Sequence, residues 1–200
     1  MRRDTLSKLY FRYGAMNSGK STSLMQVAYN YEERGMNIVL VKPATDKKGG
    51  EKLVSRLGVE RKVDILIDNN QNIYEEINNW QKERFNINCI LVDEAQFLKA
   101  EQIDQLFKIA VCLDIPVICY GLRTDFKMQG FEGSTRLLLI AHSIEEMKTI
   151  CKCGRKAILN GRKINDEFVF EGAQVAIDNI DNVQYESLCG HCYYKFKGDL

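Results

Sequence analysis

The stretch Gly14-Ala15-Met16-Asn17-Ser18-Gly19-Lys20-Ser21 decides the fold of this chain. It fits the pattern G-x-x-x-x-G-K-[ST] of a phosphate-binding loop, or P-loop. Its glycines let successive backbone N–H groups turn inward, where they bind phosphate oxygens. Lys20 is placed to bind the β- and γ-phosphates of a nucleoside triphosphate, and the Ser21 hydroxyl is placed to bind Mg²⁺. The motif predicts a nucleotide-binding protein.

The residues on either side of the P-loop fit a strand and a helix. Leu9–Tyr13 is mostly aromatic and apolar, as in a strand. After Ser21, apolar residues recur with the spacing of one helix face, at Leu24, Val27, Ala28 and Tyr31. A helix that begins there directs the positive end of its dipole at the phosphates, and Gly35 is a suitable residue to follow its end.

The composition restricts the class of protein. Hydrophobic residues make up 45% of the 200 residues, enough for a sizeable core. Lys and Arg number 28 against 27 Asp and Glu, so the net charge of +1 predicts no long-range attraction to nucleic acid or to a membrane. No apolar run is long enough for a bilayer span or a secretory segment, and we expect a cytoplasmic protein. The seven cysteines are then expected as thiols or metal ligands rather than disulfides.

Strand and helix patterns alternate along the chain. Residues 37–41 and 63–67 indicate strands, and Ile73, Ile77 and Trp80 share a helix face. Residues 42–62 are polar and rich in turn residues, which we interpret as a mobile excursion with a hairpin. The order of strand and helix patterns along the chain predicts an α/β fold, namely a P-loop NTPase-like parallel sheet flanked by helices.

A second informative stretch, Cys89-Ile90-Leu91-Val92-Asp93-Glu94, is an apolar strand that ends in two carboxylates. In a P-loop protein such a strand supplies the carboxylate that holds Mg²⁺, here Asp93. Glu94 is then free to act as a base. We expect Cys89, Cys112 and Cys119 to be small core residues.

The strand at residues 115–120 is followed by a loop at residues 121–126. Ligands of open α/β sheets bind at the carboxyl ends of the strands, so this loop should border the same crevice as Asp93. Arg123 is either a crevice residue or a solvated loop cation. His142 has no second ligand nearby in the sequence, and we interpret it as structural.

A second unit begins near Lys148. It contains two close cysteine pairs, Cys151 with Cys153 and Cys189 with Cys192. Thiolate pairs brought together from two turns suit a tetrahedral Zn²⁺ site, in which His191 would be a bystander. The long segment between the pairs could close over a ligand.

These motifs together resemble the zinc-containing thymidine kinases of the cellular type, as distinct from the herpesvirus type. The resemblance rests on the P-loop, on Asp93-Glu94-Ala95-Gln96-Phe97, on the cysteine pairs and on Tyr185 just before the last pair. Residues 29–36, 114–117, 120–126 and 153–157 look most like the enterobacterial branch of the family. The resemblance spans nearly the whole chain.

The resemblance implies a kinase domain at residues 1–148 and a small zinc-binding domain at residues 149–200, which carries a substrate-covering lasso loop. It implies that Glu94 takes the proton from the 5′-hydroxyl of thymidine or deoxyuridine, which attacks the γ-phosphate of ATP. Lys20, the P-loop amides and Mg²⁺ would stabilise the charge on the transferring phosphoryl group. ATP is expected to contact Gly14, Ala15, Met16, Asn17, Ser18, Gly19, Lys20, Ser21, Asp93, Glu94, Ala95 and Gln96.

The resemblance also implies which residues surround the nucleoside, namely Phe97, Leu122, Phe126, Phe131, Asn160 and Tyr185. It implies a homotetramer that is inhibited by thymidine triphosphate. One departure concerns the lasso. Relatives often carry Val-Ile-Gly-Gly before the lasso tyrosine, whereas this chain has Val175-Ala176-Ile177-Asp178-Asn179 and a longer link to Tyr185. We expect the side chains of Asp178 and Asn179 to point away from the thymine, because a buried unpaired carboxylate is costly.

Two other functions fit parts of the sequence. A P-loop ATPase whose zinc unit binds nucleic acid is disfavoured by the near-neutral charge and by the lack of a basic, aromatic platform. A nucleoside monophosphate kinase would need cationic residues for the acceptor phosphate, and it would give Glu94 no role as a base.

Overall fold

The computed structural model describes residues 6–45, 52–54, 58, 60–83, 86–174 and 182–200. Within these ranges the centre of the fold is a six-stranded sheet in the order β5-β2-β6-β7-β1-β8, and its neighbouring strands run parallel. The strands, in chain order, are β1 (Leu9–Tyr13), β2 (Ile38–Pro43), β3 (Lys52–Val54), β4 (Glu60–Lys62), β5 (Ile65–Ile67), β6 (Cys89–Val92), β7 (Val117–Gly121), β8 (Ser143–Glu146), β9 (Thr149–Ile150), β10 (Lys156–Ala157), β11 (Leu159–Ile164), β12 (Glu167–Val169) and β13 (Val183–Leu188).

The helices follow the strands in the expected alternation. They are α1 (Lys20–Glu32), α2 (Ile73–Glu83), α3 (Ala100–Cys112), α4 (Glu132–Ile140) and α5 (Gly190–Lys197), with a short 3₁₀ turn at Ala95–Phe97. Helix α1 begins directly after the P-loop glycine and buries Leu24 and Ala28, as the sequence predicts. Gly35 follows its end in the left-handed conformation, with φ of +69°. The predicted α/β class is confirmed.

The sheet order brings the informative loops to one edge. In a parallel sheet the carboxyl ends of all strands meet at the same edge, where ligands bind. The P-loop follows β1, residues 122–126 follow β7, and Asp93 follows β6, and these strands are neighbours in the order β6-β7-β1. The backbone N–H of Gly14 donates to the carbonyl of Gly121 at 3.3 Å, which joins the P-loop to the end of β7.

The sheet is buried on both faces, which explains the continuous apolar strands. One face carries a core cluster that includes Phe11, Val92 and Leu106, and the other carries Leu24 and Tyr120. Residues of α2, α3 and α4 contribute to the first cluster, and residues of α1 contribute to the second. Among the described residues, none of the helices has the length and apolar character required to cross a membrane.

The expected hairpin lies between β3 and β4, which pair antiparallel with Lys52 opposite Lys62. Arg61 donates two hydrogen bonds, of 2.7 and 2.9 Å, to the carboxylate of Glu32 at the end of α1. The described part of the hairpin is therefore bonded to α1, the helix that follows the P-loop. Residues 46–51, 55–57 and 59 of the predicted excursion lie outside the described residues.

One cysteine expectation is wrong. Cys89 and Cys119 are buried core residues, and burial raises the pKa of the Cys89 thiol to about 12 and that of Cys119 well above its ordinary value. Cys112 is exposed instead, because it is the last residue of α3 and falls outside that helix's buried face. His142 is structural as expected. Its Nδ1 accepts the N–H of Leu9 at 3.0 Å, and its ring stacks on Phe107.

The C-terminal region forms small antiparallel sheets and one helix. Strand β11 lies between β12 and β13, while β9 pairs with β10. A separate core cluster here includes Ala157, Leu188 and Tyr193, together with Cys151, Cys189 and Cys192.

Candidate active site and metal centre

The P-loop has the backbone geometry that its glycines allow. Gly19 has a positive φ of +78°, and a Cβ on Gly14 would lie 2.5 Å from the carbonyl oxygen of Met147. A side chain at either position is therefore strained. The buried ammonium of Lys20 donates to the carbonyl oxygens of Ala15 and Gly14, at 2.9 and 3.3 Å. Lys20 thus points into the loop that would bind phosphate.

The carboxylates after β6 lie at the same edge of the sheet. Asp93 is buried, and its backbone N–H donates to Val41 of the neighbouring strand. Glu94 has a positive φ of +49°, a strained conformation for a residue with a side chain, and such strain is concentrated at functional sites. The amide of Gln96 donates to the Glu94 carboxylate at 2.5 Å and accepts the N–H of Leu122 at 3.1 Å. Gln96 therefore fixes the Glu94 carboxylate to the loop after β7.

The turn that carries Gln96 packs tightly against α4. A Cβ on Gly133 would lie 2.4 Å from the carbonyl oxygen of Ala95 and 2.7 Å from that of Leu98. Since both neighbours are backbone atoms, only glycine fits at Gly133 without a shift of the turn or the helix. The position of Gln96 relative to Glu94 depends on this contact.

The aromatic residues expected around the nucleoside occur in two groups. Phe97 and Phe131 pack edge to face, with ring centroids 5.6 Å apart. Phe126 is buried beneath the guanidinium of Arg162, whose central carbon lies 3.7 Å from the ring centroid. Leu122 is also buried, and it bonds to Gln96 through its backbone.

Asn160 contacts the P-loop itself. Its side-chain oxygen accepts the N–H of Met16 at 2.8 Å, and its side-chain nitrogen donates to the carbonyl of Thr124 at 2.9 Å. Asn160 is 3% exposed. It therefore joins β11 to the P-loop and to the loop after β7, a contact that the sequence did not predict.

A small cleft lies where these elements meet. Arg123 borders it and lies over the ring of Tyr13, with its guanidinium carbon 5.4 Å from the ring centroid. Of the two interpretations of Arg123, the structure favours the crevice residue. The lining residues are Tyr13, Gly14, Ala15, Arg123, Thr124, Glu146, Ile158 and Asn160.

Arg162 is a functional candidate that the sequence reasoning missed. It is 4% exposed on β11, where its backbone is in register with Tyr185 of β13. Its guanidinium donates to the carbonyls of Ala173 and Glu171, at 2.9 and 2.6 Å. A single arginine in a polar stretch carries no sequence signal, so only the fold reveals it.

The prediction that the side chains of Asp178 and Asn179 point away from the thymine concerns residues outside the described ranges.

The predicted cysteine pairs come together. The Sγ atoms of Cys151, Cys153, Cys189 and Cys192 all lie within 4.8 Å of one another, whereas His191 is exposed and outside the group. The backbone N–H of Cys192, at the start of α5, donates to the Cys189 sulfur and lowers the pKa of that thiol to about 7. Hydrogen bonding with Cys153 and the other cysteines, together with burial, raises the pKa of Cys192 to about 12. Metal ligands must be thiolates, so Cys189 is the cysteine of this pair that the environment brings towards the binding form. Cysteine sulfur ligands in this number fit a closed tetrahedral Zn²⁺ site.

A P-loop after the first strand of a parallel sheet, with an acidic pair at the same edge, defines a P-loop nucleotide-binding protein. The sequence narrows the class further. The profile of the thymidine kinase family, described as "Thymidine kinase", matches residues 7–193, and the chain belongs to this family.

Curated relatives agree with the family assignment. A thymidine kinase of Haemophilus influenzae (strain Rd) is 47% identical over 195 residues, covering 96% of this chain and 98% of the relative. One of Shewanella oneidensis is 46% identical over 196 residues, covering 97% and 100%. The thymidine kinase of Enterobacteria phage T4 is 45% identical over 186 residues, covering 92% and 94%. Membership of the enterobacterial branch stays a prediction.

Proposed function

We propose that this protein is an ATP-dependent kinase that transfers the γ-phosphoryl group of ATP to the 5′-hydroxyl of thymidine or deoxyuridine. Its membership of the thymidine kinase family supports the acceptor, and the P-loop supports the donor. The observation that carries the proposal is the Glu94 carboxylate. It is held by Gln96 at the same sheet edge as the P-loop, where a base for the acceptor hydroxyl is required.

The proposed mechanism assigns one task to each group. Glu94 accepts the proton of the 5′-hydroxyl while a new bond forms between the 5′-oxygen and the γ-phosphorus, and the bond to the leaving ADP oxygen breaks. The P-loop N–H groups and Lys20 bind the phosphate oxygens and stabilise their charge. Ser21 and Asp93 would hold Mg²⁺, which neutralises charge on the phosphates when it is bound.

Lys20 must change partners for this role. Its ammonium now donates to the carbonyls of Gly14 and Ala15. Phosphate oxygens are charged acceptors and form stronger hydrogen bonds than neutral carbonyls. ATP binding would therefore draw the ammonium from the loop towards the phosphates.

The proposed nucleoside site uses the residues that the family resemblance identifies. Phe97 and Phe131 supply one apolar wall, and Phe126 supplies another beneath Arg162. Asn160 is in register with Ser187, and Arg162 is in register with Tyr185. Side chains two residues apart on a strand share a face with each other and with their cross-strand partners, so these four side chains lie on one face of the β11–β13 pair. This shared face supports Asn160 and Tyr185 as neighbours of the same ligand. The full proposed set is Phe97, Leu122, Phe126, Phe131, Asn160 and Tyr185.

We also propose the division at residue 148. Strand β8 ends the main sheet at Glu146, and β9 begins at Thr149. The core cluster around Leu188 is separate from the clusters of the main sheet. Residues 149–200 would then form the metal-binding domain, with a structural zinc on the four cysteines. Removal of zinc should loosen this domain and leave the P-loop domain folded.

The homotetramer, inhibition by thymidine triphosphate and the cytoplasmic location rest on the family resemblance and on the sequence reasoning. Light scattering of the purified protein measures the mass of the assembly, and inhibition assays with thymidine triphosphate measure feedback.

The acceptor class is tested with γ-labelled ATP and a panel of thymidine, deoxyuridine, thymidine monophosphate and single-stranded DNA. We expect the label in the monophosphates of thymidine and deoxyuridine, and none in thymidine diphosphate. Hydrolysis of ATP that is stimulated by DNA, without transfer to a nucleoside, would instead support the nucleic-acid-dependent ATPase.

A further inference from the structure

Asn160 makes hydrogen bonds to the backbone of two different loops. It lies on β11, yet its side-chain oxygen accepts the N–H of Met16 in the P-loop at 2.8 Å. Its side-chain nitrogen donates to the carbonyl of Thr124, in the loop after β7, at 2.9 Å. Asn160 as a whole is 3% exposed, so water does not compete freely for these bonds. The P-loop is the proposed ATP site, and the loop after β7 carries two proposed thymidine contacts.

The orientation of the Asn160 amide is fixed by its partners. Met16 offers a donor and Thr124 offers an acceptor, so a rotated amide would place two donors and two acceptors face to face. Both bonds therefore exist together or are lost together when the amide turns. One side chain therefore links the Thr124 carbonyl to the Met16 N–H.

The loop after β7 is also tied to the candidate base. The N–H of Leu122 donates to the Gln96 side chain, and Gln96 donates to the Glu94 carboxylate. The hydroxyl of Ser134 donates to the carbonyl of Leu122 from the other side, at 2.5 Å. A polar connection thus runs from Glu94 through the loop after β7 to Asn160 and into the P-loop.

We propose that Asn160 is a positioning residue that couples the thymidine site to the P-loop, so that thymidine binding raises the affinity of the P-loop for MgATP. The proposal rests on the proposed function and goes beyond it, because it assigns Asn160 a task in the donor site. By linkage, ATP must raise the affinity for thymidine by the same factor.

The test measures the affinity for a non-hydrolysable MgATP analogue, with and without saturating thymidine, by calorimetry. We expect the wild-type affinity to rise about fivefold or more when thymidine is present. Asn160→Ala removes both bonds, and Asn160→Asp places a carboxylate oxygen against the Thr124 carbonyl at almost unchanged size. In both variants the ratio should fall below about twofold.

The matched control is Thr149→Val. The Thr149 hydroxyl is another contact between the C-terminal region and the P-loop, but its bond to the Asn17 carbonyl is long, at 3.4 Å. This variant should retain the wild-type ratio. A ratio that is unchanged in the Asn160 variants, or absent in the wild type, overturns the proposal.

A second measurement needs no variant. Hydrogen exchange of the P-loop backbone should slow when thymidine binds to the wild-type protein without nucleotide. An exchange rate that thymidine leaves unchanged also overturns the proposal. Failure of the proposed function gives a different result, namely no thymidine binding and no phosphate transfer to thymidine.

Discussion

The substitution Gly133→Ala tests how closely the catalytic turn is packed. Its Cβ would lie 2.4 Å from the carbonyl oxygen of Ala95, whereas ordinary van der Waals contact begins at 3.4 Å. Helix α4 and the 3₁₀ turn must therefore separate by about 1 Å, and both groups in contact are backbone. That turn carries Gln96, which holds the Glu94 carboxylate.

The expected loss of stability is modest. Overpacking costs about 1–3 kcal/mol, and the better helix propensity of alanine returns up to about 1 kcal/mol. We expect a net loss of about 1–2 kcal/mol, which lowers Tm by about 2–8 °C for a chain of this length. Turnover should fall more steeply, by about 100-fold, because a shift of about 1 Å in a catalytic group has an effect of this order.

Thermal unfolding and steady-state phosphorylation of thymidine measure both effects. Gly190→Ala is the matched control, since Gly190 begins α5 and has nothing within 4 Å of the added Cβ. The control should keep wild-type Tm and turnover. A Gly133→Ala protein with wild-type Tm and turnover would refute the claim that the backbone packing positions the turn.

The remaining predictions concern single groups. Glu94→Gln should keep ATP binding but lower turnover by about 10²–10⁴-fold, measured with saturating thymidine; normal turnover would remove Glu94 as the base. Lys20→Ala should raise the KM for ATP and lower kcat, because its charge meets the phosphates in both the ground state and the transition state; unchanged values of both would contradict this role. Elemental analysis should find one zinc per chain in the wild type and in Cys112→Ser, and little in Cys192→Ala; a zinc-free wild type purified without chelators would refute the metal site. Burial raises the pKa of Glu186, but hydrogen bonds from Lys163 and Lys152 outweigh it and the pKa is lowered overall. The charged Glu186 therefore stabilises the fold above its ordinary pKa near 4.5, and this contribution is lost as the pH falls through the lower pKa of the folded state. Glu186→Gln should accordingly flatten the acid side of a plot of stability against pH. An unchanged plot would contradict the ion pairs.

Local patterns predicted much of the fold. The P-loop, the apolar strand before Asp93 and the apolar face of α1 each depend on neighbours in sequence, and all of them occur where the pattern places them. The cysteine pairs were predictable for a different reason. Paired thiols with short spacing have few other uses, and the structure brings their sulfurs together.

Long-range contacts were not predictable from local patterns. Asn160 is 144 residues from Met16 in the sequence, and its contact depends on how β11 lies against the P-loop. Arg162 has no periodic partner, and its position depends on the backbone carbonyls of Glu171 and Ala173 that accept its hydrogen bonds. Cys112 was misplaced because burial at a helix end depends on where the last turn stops, which sequence periodicity defines poorly.

The most direct test of the central claim compares two thymidine analogues as acceptors for γ-labelled ATP. 3′-Deoxythymidine keeps the 5′-hydroxyl, whereas 5′-deoxythymidine lacks it. We predict labelled 5′-monophosphate from thymidine and from 3′-deoxythymidine, no labelled product from 5′-deoxythymidine, and loss of most of the transfer in Glu94→Gln. Labelled product from 5′-deoxythymidine would contradict the proposed reaction. So would release of phosphate from ATP with no labelled nucleoside monophosphate from any acceptor.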